Sequence, residues 1–135
     1  MNLSQKLSQS MQDQAKAYRA FYSLPKLTLL ANAQSSYSLQ IDNDADFYIQ
    51  YLYGRMSALG AQFRIIDKRF GKIFNDFVDM ATILTPGIIG ATSFSDPLEI
   101  GYTVTRNTEL QFEFVNPTAS PIDVFLTLTG FKKRA

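Results

Sequence analysis

The sequence predicts an antiparallel β-sandwich or barrel preceded by an N-terminal helix. Three observations lead there. First, Leu110-Gln-Phe-Glu-Phe-Val-Asn116 and Ile122-Asp-Val-Phe-Leu-Thr-Leu-Thr-Gly130 mostly alternate an apolar residue with a polar or smaller one, the period of a strand with one buried face. Second, turn-formers recur between apolar runs at roughly 8- to 12-residue spacing, as in sandwiches and barrels. Third, aromatic residues make up 13% of the chain, eleven Phe and seven Tyr with no Trp, a supply that suits cross-strand pairs on pleated faces.

The elements follow in order. Leu3, Leu7, Met11, Ala15, Tyr18 and Tyr22 fall three or four apart on a Gln-rich segment, a narrow amphipathic stripe that predicts a helix ended by Pro25. The segment divides the chain into an arm, residues 1–24, and a sandwich domain, residues 25–135. Lys26–Leu30 is a short strand, Asn32–Ser36 a polar loop and Tyr37–Ile41 an alternating strand. Asp42-Asn-Asp-Ala-Asp46 is a turn, because Asp and Asn side chains bond their own backbone and tolerate left-handed geometry. Phe47–Tyr53 is a longer strand broken at Gly54. Ala61–Asp67 and Lys72–Val78 form a pair joined around Lys68–Gly71. Thr85–Pro97 is a Gly- and Pro-punctuated loop, Glu99–Val104 a strand and Arg106–Thr108 a turn before the two C-terminal strands. The expected core is Leu39, Ile41, Phe47, Ile49, Tyr51, Phe63, Ile65, Phe74, Val104, Leu110, Phe112, Phe114, Val124, Leu126 and Leu128.

Composition excludes several chemistries. The 135 residues are one domain's worth, 46% apolar and 19% charged, hence globular. The net charge of +1 gives no basic footprint for sequence-independent nucleic-acid binding, and Lys132-Lys-Arg134 reads as a solvated tail. There is no Cys and no His, so no thiolate nucleophile, no His-based triad and no Cys/His zinc site can be built. No run of 18 apolar residues marks a membrane-spanning helix, and the Ser/Gln-rich start lacks the apolar centre of a secretory signal. No nucleic acid, membrane or cofactor is expected as a partner.

Three constellations could carry chemistry. Asp42, Asp44 and Asp46 have the spacing that opens a calcium loop, but Phe47 stands where that loop needs Gly and Tyr53 where it needs a bidentate Glu. A plain turn accounts for the run. Tyr48, Tyr51 and Tyr53, beside Phe47, offer a stacking platform for sugar rings or bases, or else a strand buried on both faces. The carboxylates Asp76, Asp79, Asp96, Glu99, Glu109 and Glu113 show no pairing of the kind glycoside hydrolysis requires, and no enzyme is predicted.

One resemblance adds to this. Pro97-Leu-Glu-Ile-Gly-Tyr102, then Glu109-Leu-Gln-Phe-Glu-Phe-Val-Asn-Pro-Thr118, Pro121 and Ile122-Asp-Val-Phe-Leu-Thr-Leu-Thr-Gly-Phe-Lys132 resemble the closing segment of small single-domain virion proteins of tailed bacteriophages. Phe63-Arg-Ile-Ile-Asp67 and Ile73-Phe-Asn-Asp76 fit that family's middle hairpin. The resemblance implies a jelly-roll-like sandwich and a place on a virus particle. The implied role is a decoration (cement) or minor capsid protein that binds the major capsid protein or other virion proteins as a homo-oligomer. It implies no catalytic residues. A receptor- or glycan-binding head is the alternative. Leu3, Leu7, Met11, Tyr18 and Tyr22 are the expected partner-binding residues, since a thin amphipathic helix is marginal alone and must pack on something.

Overall fold

Strand alternation dictates two sheets that close on each other. The computed structural model describes residues 17–73, 77–80 and 98–133. Its strands are β1 (Ala17–Ser23), β2 (Leu27–Leu29), β3 (Ala33–Gln40), β4 (Phe47–Met56), β5 (Gln62–Asp67), β6 (Lys72–Ile73), β7 (Val78–Asp79), β8 (Leu98–Val104), β9 (Glu109–Asn116) and β10 (Ile122–Lys133). They form two five-stranded sheets. In the first, the order is β1-β10-β4-β8 with β2 also on β10; in the second, it is β3-β9-β5-β6 with β7 also on β5. Every pairing is antiparallel. With β1/β2 and β6/β7 each counted as one interrupted strand, this is jelly-roll connectivity, in which consecutive strands cross between sheets except at β5 and β6/β7, which pair within the second.

The N-terminal helix expectation is corrected for the described residues. Ala17–Ser23 is a strand, paired along its whole length with β10 from Ala17↔Lys133 to Ser23↔Thr127. Tyr18 and Tyr22 satisfy both the helical four-residue spacing and an even-numbered strand set. Ala20 and Leu24 complete the strand set inward, and Arg19, Phe21 and Ser23 point outward. Tertiary pairing decides the ambiguity, because without β1 this edge of β10 would lack a partner. Pro25 does not end a helix. Between Ser23↔Thr127 and Leu27↔Val124 the first strand spends one residue more than β10, so Pro25 sits at a bulge, where its missing N–H costs nothing. Leu3, Leu7 and Met11 lie outside the described residues, as do Phe74 and the predicted loop from Thr85 to Pro97.

Other boundaries moved for local reasons. The predicted loop Asn32–Ser36 shrinks to a turn at Ala31–Asn32, with Asn32 left-handed (φ 53°), and β3 already begins at Ala33. Gly54 does not break β4, which pairs with Leu126 there and runs on to Met56.

A bulge in β4 has larger consequences. Against β10 the register steps from Thr129↔Tyr51 to Gly130↔Ile49, leaving Gln50 as the extra residue. Phe47 and Ile49 therefore face inward before it, and Leu52, Gly54 and Met56 after it. Tyr51, predicted for the core, is only half-buried, and Tyr53 is exposed. The interior is Phe47, Ile49, Leu52 and Met56 with Leu128, Val124 and Val104 from one sheet, against Phe63, Ile65, Leu110, Phe112 and Phe114 from the other. Leu39 packs at its margin.

Candidate functional site: an acidic loop and an aromatic sheet face

The acidic loop Asp42–Asp46 closes one end of the sandwich between β3 and β4. Each of its carboxylates already has a protein donor. Lys132, on the inward face of β10 and only 4% exposed, places its Nζ 2.5 Å from Asp44 Oδ1 and 3.9 Å from Asp42 Oδ2. The Tyr18 hydroxyl donates to Asp44 Oδ2 (2.9 Å) and the Tyr22 hydroxyl to Asp42 Oδ2 (3.1 Å). Asp46 Oδ1 accepts the Arg106 backbone N–H at 2.8 Å. Lys132 also lies 5.1 Å from the Tyr22 ring centroid, within cation–π range.

The electrostatics follow from these bonds. The Lys132 ammonium, with Tyr18, holds Asp44 down at about 2. The Arg106 N–H lowers Asp46. Burial alone would depress Lys132, but the bonds to Asp44 and Tyr22 outweigh it and the amine sits above its ordinary value. A buried ammonium thus stands inside the loop that resembled a calcium motif, and among the described residues no cluster of three potential ligands suits a metal. Tyr18 and Tyr22, predicted to bind a partner, direct their hydroxyls into this loop, and Tyr22 packs on Phe47 at 5.0 Å.

The remaining polar groups are structural. Asp67, fully buried, accepts the Tyr102 hydroxyl (2.7 Å) and the Arg69 and Phe70 backbone N–H groups, which caps the turn after β5. Burial, reinforced by that bond, pushes the Tyr102 phenol up to about 12. Asn116, also buried, donates to the Leu29 and Ser120 carbonyls (3.0 and 2.9 Å) and accepts the Thr118 N–H and hydroxyl, fixing the Pro117–Pro121 loop. Glu113 is bonded to Arg64 at 3.2 Å on the second sheet's outer face. Glu109 alternates with buried Leu110 on that face, whereas Glu99 projects from the outer face of the first sheet. The two outer faces separate these carboxylates. Asp79 is on β7, and Asp76 and Asp96 lie outside the described residues.

The outer faces of the two sheets differ sharply in chemistry. The second presents Gln34, Ser36, Ser38 and Gln40 from β3, Gln111 and Glu113 from β9, and Gln62 and Arg64 from β5, with half-buried Ile66 and Val115 among them. The first presents rings. Phe21 is 63% exposed, Tyr48 and Tyr53 each 41% and Phe125 38%, with half-buried Tyr51 and Phe131 among them. The register makes them contiguous: Phe21 pairs with Thr129, which pairs with Tyr51; Phe131 pairs with Tyr48; Thr127 pairs with Tyr53. Arg19 caps Phe131 at 5.5 Å, and Tyr51 and Tyr53 meet edge-on at 6.3 Å. The platform residues Tyr48, Tyr51 and Tyr53 are therefore brought together. Sequence reasoning missed Phe21, Phe125 and Phe131, which join them only through strand pairing. The available signal was the outward phase of β10, where Phe125 and Phe131 alternate with Val124, Leu126 and Leu128.

No protein-family model matches the chain, and no curated protein matches it. Among solved structures it is similar to the capsid asymmetric unit of cyanophage Pam1, at 15% identity and a TM-score of 0.46, over 86% of this chain and 84% of that one. It is also similar to the insecticidal crystal protein Cry2Aa (19% identity, TM-score 0.44, 76% of this chain and 16% of that one). A third is the VP2 subviral particle of infectious bursal disease virus, at 12% identity and a TM-score of 0.34, over 87% of this chain and 38% of that one.

Proposed function

We propose that the chain is a virion structural protein, a capsid decoration or minor capsid protein that binds the shell as a homo-oligomer. The observation that carries this reading is the contrast between the two outer sheet faces. Interface cores are enriched in Tyr, Phe and Arg and depleted in Lys, Glu and Ser. The first sheet's outer face is rich in rings and Arg, with Phe21, Tyr48, Tyr53 and Phe125 exposed beside Arg19 and Arg55 and with Ser23, Glu99 and Lys133 on the same face, whereas the second sheet's is Ser/Gln-rich. Contiguous exposed rings of this kind mark a surface that is covered in the working state. The buried polar groups described above serve loops and turns, which fits a packing module. Jelly rolls also build lectins and small-molecule enzymes, so the argument rests on the face and not on the fold. In this reading Leu3, Leu7 and Met11, on the segment preceding β1, contact the shell.

The test is stoichiometry. Quantitative mass spectrometry of purified particles of the encoding virus should find the chain at on the order of hundreds of copies, as repeated positions on a symmetric shell require. Absence from particles overturns the proposal. A second reading, a glycan- or receptor-binding head, is favoured by the exposure of Tyr48 and Tyr53 on one flat face, where rings can stack on sugars. It requires far fewer copies per particle and measurable glycan binding lost on Tyr48→Ala.

A further inference from the structure

The outward residues of β10 read, in order, Asp123, Phe125, Thr127, Thr129, Phe131 and Lys133. The series is the same from either end in size and polarity, and opposite in charge at its two ends. Turned by 180° about an axis across the strands, between Thr127 and Thr129, it lays Phe125 over Phe131, Thr127 over Thr129 and Asp123 over Lys133. The neighbouring strand obeys the same operation. β4 presents Arg55 beside Phe125, Tyr53 beside Thr127, Tyr51 beside Thr129 and Tyr48 beside Phe131. Rotation brings Arg55 over Tyr48, a cation–π pairing, and Tyr53 over Tyr51.

From this self-complementarity we propose that the outer face of the first sheet binds the same face of a second copy of the chain, with the two β10 strands antiparallel across a two-fold axis. This specifies the homo-oligomer of the proposed function and rests on that part of it. A two-fold interface uses one patch twice and must complement itself, and the outward series of β10 meets that condition in its opposite end charges. Its size fits. β10 from Asp123 to Lys133 is about 33 Å long and four strands are about 19 Å across. That footprint is comparable to the roughly 800 Å² each partner contributes to a standard interface. The four most exposed rings alone supply about 300–450 Å², on a scale of about 150–250 Å² per buried aromatic. Two stacked sheets about 10 Å apart would sandwich the rings between them.

The test is sedimentation velocity on the full chain across a concentration series, with charge swaps at the two ends. Wild type should dimerise. Asp123→Lys and Lys133→Asp each place like charges at both ends of the dimer and should weaken it about tenfold or more. An equimolar mixture of the two variants restores opposite charges at both ends, so the heterodimer should regain wild-type affinity. Phe125→Asp should abolish dimerisation while far-UV circular dichroism stays unchanged, and Phe21→Asp, on the more exposed ring, provides the same reading if the first variant misfolds. A wild-type monomer at every concentration, or a mixture no tighter than its components, overturns the interface. A chain that is monomeric yet present in particles overturns the interface and leaves the virion reading standing. A dimer absent from particles supports the interface and overturns the virion reading.

Discussion

Gly130→Ala probes the device that orients the aromatic face. Gly130 sits in the interior of β10 opposite the β4 bulge, and a Cβ built there would lie 1.8 Å from the Tyr48 carbonyl oxygen, 2.9 Å from its carbon and 3.0 Å from the Gln50 nitrogen. All three are backbone atoms, so no side chain can rotate away. One of the two strands must move by more than about 1 Å. Overpacking a well-packed site costs about 1–3 kcal/mol, and each ladder bond lost in the shift adds about 1 kcal/mol. The expected destabilisation is about 3 kcal/mol, or about 12 °C in Tm for a domain of this size. In an unbulged strand the same change would be neutral or stabilising by about 0.5–1 kcal/mol, because Ala loses less backbone entropy than Gly. Gly71→Ala is the control: among the described residues nothing lies within 4 Å of its Cβ, and its left-handed φ of 65° resists, at about 1 kcal/mol. Urea and thermal denaturation measure both. A Gly130→Ala protein that melts at or above wild type would refute the bulge and the outward placement of Tyr51 and Tyr53 derived from it.

Three further expectations concern polar side chains of the loops and turns. Asp44 is held near 2, below its unfolded 3.8; the stability it contributes is complete above 3.8 and lost as pH falls through about 2. The Tm of wild type should therefore drop across that window, and Asp44→Asn should flatten the drop while lowering Tm at neutral pH; an unchanged acid slope contradicts the assignment. Asn116→Ala strips partners from the Leu29 and Ser120 carbonyls and the Thr118 N–H, with an expected loss of about 3 kcal/mol in urea denaturation. Thr108→Val removes a buried hydroxyl that has no hydrogen-bond partner among the described residues and should leave stability unchanged or raise it by up to about 1 kcal/mol. Truncation distinguishes the arm from the sheet: removing residues 2–16 should leave melting unchanged, whereas removing 2–22 strips β1 from β10 and should lower Tm.

Strands whose alternation is unbroken were legible. Phe112 and Phe114 in β9, Val124, Leu126 and Leu128 in β10, and Phe63 and Ile65 in β5 all occupy the interior that their period assigned. So was the turn at Asp42–Asp46, because short polar side chains carry that signal locally. What the period could not show was a change of phase. A strict count from Phe47 puts Tyr51 and Tyr53 inside and Leu52 outside; one extra residue at Gln50 reverses them. The readable trace of that bulge is Gly130, a glycine within a strongly apolar strand, which marks close backbone approach. The helical reading of Tyr18 and Tyr22 failed for a related reason, since residues four apart share a face in helix and strand alike. The candidate face was half visible: Tyr48, Tyr51 and Tyr53 stood out as a platform, but Phe21, Phe125 and Phe131 are distant from them in sequence, and only the register, which sets Phe131 against Tyr48 and Phe21 against Thr129, unites them.

In the proposed function this sandwich works as a virion component through its aromatic sheet face. A reconstruction of the encoding virus particle at side-chain resolution tests it most directly. The chain should stand at symmetry-related positions on the shell, with Phe21, Phe125, Tyr48 and Tyr53 covered by a second copy and the Ser/Gln face of β3 toward solvent. Particles without the chain, or particles in which the aromatic face is bare and the β3 face is covered, would contradict it.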